Sequence, residues 1–102
     1  MLTEAEYQAI HVLFGRYHGL ITQNMDKLQD LPEKCRGGHL VRLCDEAITN
    51  AHAYPFDKLS RWMGFVQGVL AAQSIIDVDE ERDFSRPFLH ALHSEAIPTF
   101  SG

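Results

Sequence analysis

The chain has 102 residues, a formal net charge of −5, and 45% hydrophobic and 23% charged residues. This length suits one domain, and this composition excludes an intrinsically disordered chain. The nine Lys and Arg residues are scattered, whereas a protein that binds the phosphate backbone carries a basic patch. We therefore expect one globular domain over residues 1–102 that does not bind nucleic acid directly.

The first helix is predicted over about residues 4–29. Thr3 followed by Glu6 forms a capping-box pattern at its start. Gly15 and Gly19 lie on one side of this helix and reduce its intrinsic stability, so they are either tolerated surface residues or a place where another helix or a ligand comes close. Apolar residues recur on the other side at helical spacing: Ile10, Leu13, Phe14, Tyr17, Leu20, Ile21 and Leu28.

A connector with Pro32 and two glycines precedes a second helix, predicted over about residues 39–52. Its apolar stripe consists of Leu40, Leu43, Cys44, Ala47, Ile48 and Ala51.

The third helix, predicted over about residues 56–76, is the longest apolar segment and contains the only Trp. One face of this helix is formed by large apolar residues, and Trp62 is predicted to lie in the core because it belongs to that face. The other face is formed by small residues. Because neither face is charged, we expect both to be covered. The large face comprises Leu59, Trp62, Met63, Val66, Val69 and Leu70. The small face comprises Gly64, Gly68, Ala71, Ala72 and Ile75.

The acidic run from Asp77 predicts the start of a fourth helix, over about residues 78–93. Phe84, Phe88 and Leu92 are expected to face inward. Pro87 predicts a kink or a break, with Ser85 capping the second piece, and residues 96–102 are expected to form a short tail. The fold class is therefore all-α: a compact, oligomeric bundle of about four helices, with the third helix buried at its centre.

Two Gly-x-x-x-Gly motifs, Gly15 to Gly19 and Gly64 to Gly68, indicate close contact between helices beyond the main core. Together with Ala72 they form the predicted oligomer contact, and a homodimer is the commonest closed assembly. The sequence leaves open whether these faces pack within one chain or between chains.

No catalytic signature is present, so we predict a protein that is not an enzyme and has no cofactor. The histidines and cysteines lack the spacing of a metal site; the groups considered were His11 with His18, Cys35 with His39 and Cys44, and His90 with His93. One enzymatic alternative stays open. All-α nucleotide pyrophosphohydrolases hold Mg²⁺ with paired acidic motifs, and Glu80 and Asp83 match one of the pair.

A second alternative is a protein that binds and sequesters a small molecule such as a nucleotide. Arg61, Trp62 and Gln67 are its candidate binding residues, in a pocket between subunits. Arginine suits a phosphate group, and the indole ring suits a base.

The segments Lys58–Gly68, Ile76–Asp83 and Arg86–Pro87 resemble a group of small, uncharacterised accessory proteins of tailed phages and prophages. The shared pattern is Lys-x-x-Arg-Trp-x-Gly-Phe-x-Gln-Gly. The resemblance implies an accessory protein that binds a host protein or factor, as an inhibitor or against host defence, in the bacterial cytoplasm. Two cysteines without a disulfide framework, and Glu4 and Glu6 in place of a leader sequence, also favour the cytoplasm. The apolar run between Trp62 and Ala72 is too short and too closely flanked by charge to span a bilayer, so no membrane association is expected.

Overall fold

A computed structural model of the chain describes the backbone of residues 2–96 and the side chains of residues 2–88. Its helices are α1 (Glu4–Gln23), α2 (Gly37–Thr49), α3 (Phe56–Ala72) and α4 (Val78–Ala96). Short 3-10 turns at Met25–Leu28, Glu33–Cys35 and Ala51–Ala53 lie in the connections. No strand occurs between residues 2 and 96, which confirms the predicted all-α bundle.

Helix α1 begins with the predicted capping box. The Thr3 side chain accepts a hydrogen bond from the Glu6 backbone N–H at 3.1 Å, and the Glu6 carboxylate accepts one from the Thr3 N–H at 2.9 Å. The helix ends at Gln23, before the predicted limit near residue 29, because Asn24 leaves helical geometry and its side-chain amide donates to the Leu20 carbonyl at 2.8 Å. The chain then continues as a 3-10 turn that buries Leu28.

The central position in the bundle belongs to α1 rather than to α3, because α1 packs against each of the other three helices. Its buried residues are Ala9, Ile10, Leu13, Phe14, Tyr17 and Ile21. Helix α3 buries one face, made of Leu59, Met63, Val66 and Leu70. The prediction that its small-residue face is also covered is wrong for the single chain, since Gly64, Gly68 and Ala72 are exposed.

Helix α3 ends at Ala72, earlier than the predicted limit near residue 76. The Ile75 N–H donates to the Leu70 carbonyl at 2.9 Å, and the Ser74 N–H donates to the Ala71 carbonyl at 3.0 Å. This pair of bonds is a Schellman motif, and it requires a left-handed residue at position 74. Ser74 has a φ of 59°, a conformation in which glycine is usual. Because no glycine marks this position, the helix end could not be predicted from the sequence.

Helix α4 continues through Pro87 to Ala96, so the predicted break is wrong. Pro87 cannot donate to the carbonyl of Asp83, but both residues are exposed and water can bind that carbonyl. Ser85 is buried and its hydroxyl donates to the Glu81 carbonyl at 2.9 Å, so it does not cap a new helix. Of the predicted tail, Ala96 lies in α4 and residues 97–102 lie outside the described residues.

The inner face of α4 also differs from the prediction. Glu81 and Ser85 are buried and Phe88 packs against the core, whereas Phe84 is 39% exposed. The reason lies on α1, where Arg16 and Tyr17 bind the Glu81 carboxylate and draw it inward. The side chain of Leu92 lies outside the described residues.

Candidate functional site

A surface cleft of about 330 Å³ lies between α3 and the start of α4. The α3 side of the cleft is open at Gly68, where an added Cβ would meet no atom within 4 Å. Ile76 and Val78 form the opposite wall, and Val78 is 57% exposed. The complete lining is Gln67, Gly68, Ala71, Ile76, Val78, Glu81, Arg82 and Ser85.

Glu81, which is 5% exposed, and Gln67 form the floor of the cleft, and a hydrogen-bonded network ties both of them to α1. Arg16 binds Oε1 of Glu81 through Nε at 3.0 Å and through Nη2 at 2.9 Å. The Tyr17 hydroxyl donates to Oε2 at 2.5 Å, and Gln67 Nε2 donates to the Tyr17 oxygen at 2.7 Å. The network thus ties α1 to both walls of the cleft.

The electrostatics of this network favour one fixed protonation state. Burial, and then the hydrogen bond to Glu81, raise the pKa of Tyr17 well above its ordinary value, so the hydroxyl stays a proton donor. The Arg16 guanidinium neutralises the carboxylate and also lies 4.3 Å from the centre of the Phe84 ring. The polar groups of the network therefore hydrogen-bond to one another, which suits a structural role better than proton transfer to a substrate.

An acidic groove of about 490 Å³ adjoins the cleft and shares Ala71, Ile76 and Val78 with it. Three carboxylates, of Asp77, Asp79 and Glu80, line this groove together with Ser74 and Ile75. Asp77 accepts a hydrogen bond from the Glu80 N–H at 3.0 Å, so it also caps α4, whose start the acidic run predicted.

The acidic motif of the pyrophosphohydrolase alternative lies on the exposed start of α4. Asp83 pairs there with Arg86 at 3.2 Å, and the face of α4 that meets α1 contacts Arg16 and Tyr17. Within the described residues, His, Cys, Asp and Glu form no group of three or more that could hold a metal ion. The structure therefore offers no second acidic motif opposite Glu80 within this part of the chain.

The three residues predicted to bind a small molecule have separate surroundings in the single chain. Arg61 is exposed and pairs with Asp57 at 3.3 Å. Trp62 is half-buried at the edge of the core, with its ring 4.9 Å from that of Tyr54. The sequence predicted that Trp62 lies in the core, whereas it only packs against it. Only Gln67 lines the cleft. A pocket formed between subunits stays a prediction.

The two Gly-x-x-x-Gly faces are open in the single chain. A Cβ added at Gly15, Gly19, Gly64 or Gly68 would meet no atom within 4 Å. Within the described residues these glycines therefore do not mediate contact between helices of one chain. Contact between chains through these glycines stays a prediction, as does the alternative that they are tolerated surface residues.

The histidines and cysteines that were considered as metal ligands make separate contacts where the structure describes their side chains. His18 Nε2 lies 3.1 Å from an Asp45 oxygen, and the His11 ring lies 4.3 Å from that of Tyr7. Cys44 is buried, and burial followed by the nearby Asp45 charge raises the pKa of its thiol to about 12. The side chains of His90 and His93 lie outside the described residues.

The residues of the network at the floor of the cleft were not predicted from the sequence to act together. Arg16 was predicted only as one of the scattered basic residues, Tyr17 as a core residue, and Glu81 as part of the acidic run that begins α4. A weak indication was available, because Glu81, Ser85 and Phe88 recur at i, i+4 and i+7 and therefore share one helix face.

Comparison with known proteins adds no relative: no protein-family model, curated protein or solved structure matches the chain. The resemblance to phage accessory proteins accordingly stays a prediction. In the part of the chain that the structure describes, none of the helices combines the length and the apolar character needed to cross a membrane.

Proposed function

We propose that this protein is a non-enzymatic binding protein that receives a segment of another protein in the cleft between α3 and α4. The observation that carries the proposal is the apolar surface around the cleft. Val78 is 57% exposed and Phe65 is 40% exposed, and Phe65 shares its helix face with the open Gly68 position. Within the cleft, Val78 lies with the partly exposed Ala71 and Ile76, and contiguous apolar surface of this kind marks sites of protein interaction.

Binding is a better account of the cleft than catalysis. Its most buried carboxylate, that of Glu81, is already held by Arg16 and Tyr17. The Ser85 hydroxyl donates to a backbone carbonyl rather than to a base. An amphipathic helix binds by laying its apolar face into a hydrophobic groove, and the apolar walls of the cleft offer such a surface.

The biological setting that we propose follows from the resemblance to phage accessory proteins. The protein would act in the bacterial cytoplasm on a host protein, as an inhibitor or against a defence system. Gly64, Phe65 and Gly68 of the resembling segment are exposed on α3, which supports a binding role for that segment. The nucleotide-binding alternative has less support, because Gln67 lines the cleft whereas Arg61 pairs with Asp57 and Trp62 packs beside Tyr54.

Affinity capture from a bacterial lysate, with quantitative mass spectrometry, tests the proposal. The Gly68→Leu variant fills the cleft, whereas Gly15→Leu places the same side chain on an exposed glycine of α1 that does not line the cleft. We expect a specific protein to be captured by the unmodified chain and by Gly15→Leu, and to be lost with Gly68→Leu. Equal capture by both variants would place the binding surface elsewhere.

Self-association is the second candidate, favoured by the open glycine faces of α1 and α3. A homodimer could cover Gly15, Gly19, Gly64, Gly68 and Ala72. Sedimentation equilibrium at tens of micromolar should then show a dimer, and Gly64→Leu should weaken it by overpacking. A monomer at that concentration rejects this candidate and leaves the cleft proposal intact.

A further inference from the structure

We propose that the segment received by the cleft is a cationic amphipathic helix, whose apolar side chain enters the cleft while a neighbouring Lys or Arg lies over the acidic groove. This inference rests on the proposed function and adds the chemistry of the partner. It is carried by the adjacency of two grooves of opposite character, one apolar and one acidic, which share the Ala71, Ile76 and Val78 walls.

The apolar half of the site is preformed. Gly68 and Ala71 line the cleft from α3, Ile76 lines it from the connection between α3 and α4, and Val78 lines it from the first residue of α4. The floor cannot rearrange freely, because Glu81 and Gln67 are tied to Tyr17 at 2.5 and 2.7 Å. An apolar side chain entering the cleft would therefore replace water without ordering the protein further, which favours affinity.

The acidic half gives the site its charge preference. Asp77, Asp79 and Glu80 present three carboxylates along the groove. The nearest cation along the chain is Arg82, which is 65% exposed and lies 3.7 Å from Asp79, and no Lys or Arg occurs between Arg61 and Arg82. Arg16 is held by Glu81 at 2.9 Å and is not directed at the groove. An excess of carboxylates over guanidinium groups therefore remains beside the cleft.

The two halves together favour a helix as the bound segment. In a helix, residues three or four apart lie on one face, so an apolar residue and a Lys or Arg can contact adjacent grooves at once. Addition of a strand to a sheet edge is not available between residues 2 and 96, where the chain is helical or irregular. Charge complementarity would fix the register of the helix and raise its association rate.

Synthetic peptides test this chemistry with the full chain. The probe is a fluorescein-labelled helical peptide of about 15 residues, with Leu at i and i+4 flanked by Lys, followed by fluorescence anisotropy. A matched peptide carries Glu in place of every Lys. We expect the Lys peptide to bind at least about tenfold more tightly than the Glu peptide, and to weaken as salt rises from about 0.05 to 0.5 M.

Two protein variants locate the contact. The triple change Asp77→Asn, Asp79→Asn and Glu80→Gln should weaken the Lys peptide about tenfold, and asparagine at position 77 can still cap α4. The control neutralises three exposed acids away from the grooves, Asp26→Asn, Asp30→Asn and Glu33→Gln, and should leave the affinity within about twofold. Circular dichroism confirms that both variants keep their helix content.

The remaining outcomes overturn the inference in distinguishable ways. If Gly68→Leu abolishes binding but the two peptides bind equally, the cleft binds protein and the cationic partner is wrong. If Gly68→Leu leaves peptide affinity unchanged, the proposed function itself fails. If the Lys peptide does not bind at about 100 μM and the chain forms a dimer that Gly68→Leu dissociates, a second copy occupies the cleft instead.

Discussion

Removal of the Glu81 side chain gives the sharpest test of the network that joins α1, α3 and α4. In Glu81→Ala the Tyr17 hydroxyl loses its acceptor while it remains buried, and an unsatisfied buried donor costs roughly 1–3 kcal/mol. Arg16 loses a partner at 2.9 Å, but its side chain is 34% exposed and recovers part of its hydration. We therefore expect a loss of about 3 kcal/mol, at the low end of the roughly 3–5 kcal/mol for a broken buried ion pair.

The adjacent residue supplies the control. Glu80 is exposed, so Glu80→Ala should change the free energy of unfolding by only about 0.5 kcal/mol or less. Glu81→Gln separates loss of charge from loss of volume, because the amide oxygen can still accept from Tyr17; we expect a loss of about 1–2 kcal/mol. Urea unfolding followed by circular dichroism measures all three variants.

The result that would refute this reasoning is equal stability of Glu81→Ala and Glu80→Ala. Glu81 would then be as solvated as its exposed neighbour Glu80. A large change in the slope of the urea transition would instead show that the variant alters the compactness of the unfolded or native state, and the two free energies could not be compared directly.

Three further predictions concern single residues. Because the pKa of Tyr17 is raised on folding, its stabilising contribution is complete below about pH 10 and is lost as the pH rises above that value. Between about pH 9 and 11, the free energy of unfolding in urea should fall more for the unmodified chain than for Tyr17→Phe. Equal losses in the two proteins would contradict a raised pKa of Tyr17. Ser74→Gly should raise the stability by about 1 kcal/mol, since glycine adopts the φ of 59° without a Cβ clash, and a lower melting temperature would contradict the Schellman geometry. In the folded protein a disulfide reagent should label the half-buried Cys35 and not the buried Cys44, whose thiol has a pKa of about 12. Both thiols should react in urea. Fast labelling of two thiols in the native state would show that Cys44 is accessible.

Much of the fold could be predicted from local pattern. The capping box at Thr3 and Glu6, and the apolar stripes of α1 and α2, depend on contacts within a few residues, and they are confirmed. The helix ends were less predictable. Ser74 adopts a left-handed conformation without glycine, and Pro87 is accepted inside α4, because neighbouring structure and solvent decide those positions.

The floor of the cleft required the tertiary structure, because its partners are far apart in the sequence. Arg16 and Tyr17 meet Glu81 across 65 and 64 positions, and Gln67 meets Tyr17 across 50. No periodic pattern links such residues. The packing of α4 onto α1 buries the Glu81 carboxylate, whereas its neighbours Glu80 and Arg82 stay exposed.

The sequence by itself determined that the chain folds as helices, and which faces of α1 and α2 enter the core, because apolar periodicity and capping act locally. Only the tertiary structure decided that α1 occupies the centre, that the small-residue face of α3 stays open, and that an apolar cleft adjoins an acidic groove. Those features depend on which helices pack together, and burial of an apolar stripe is favourable against any suitable partner, so the stripe alone does not specify the neighbour.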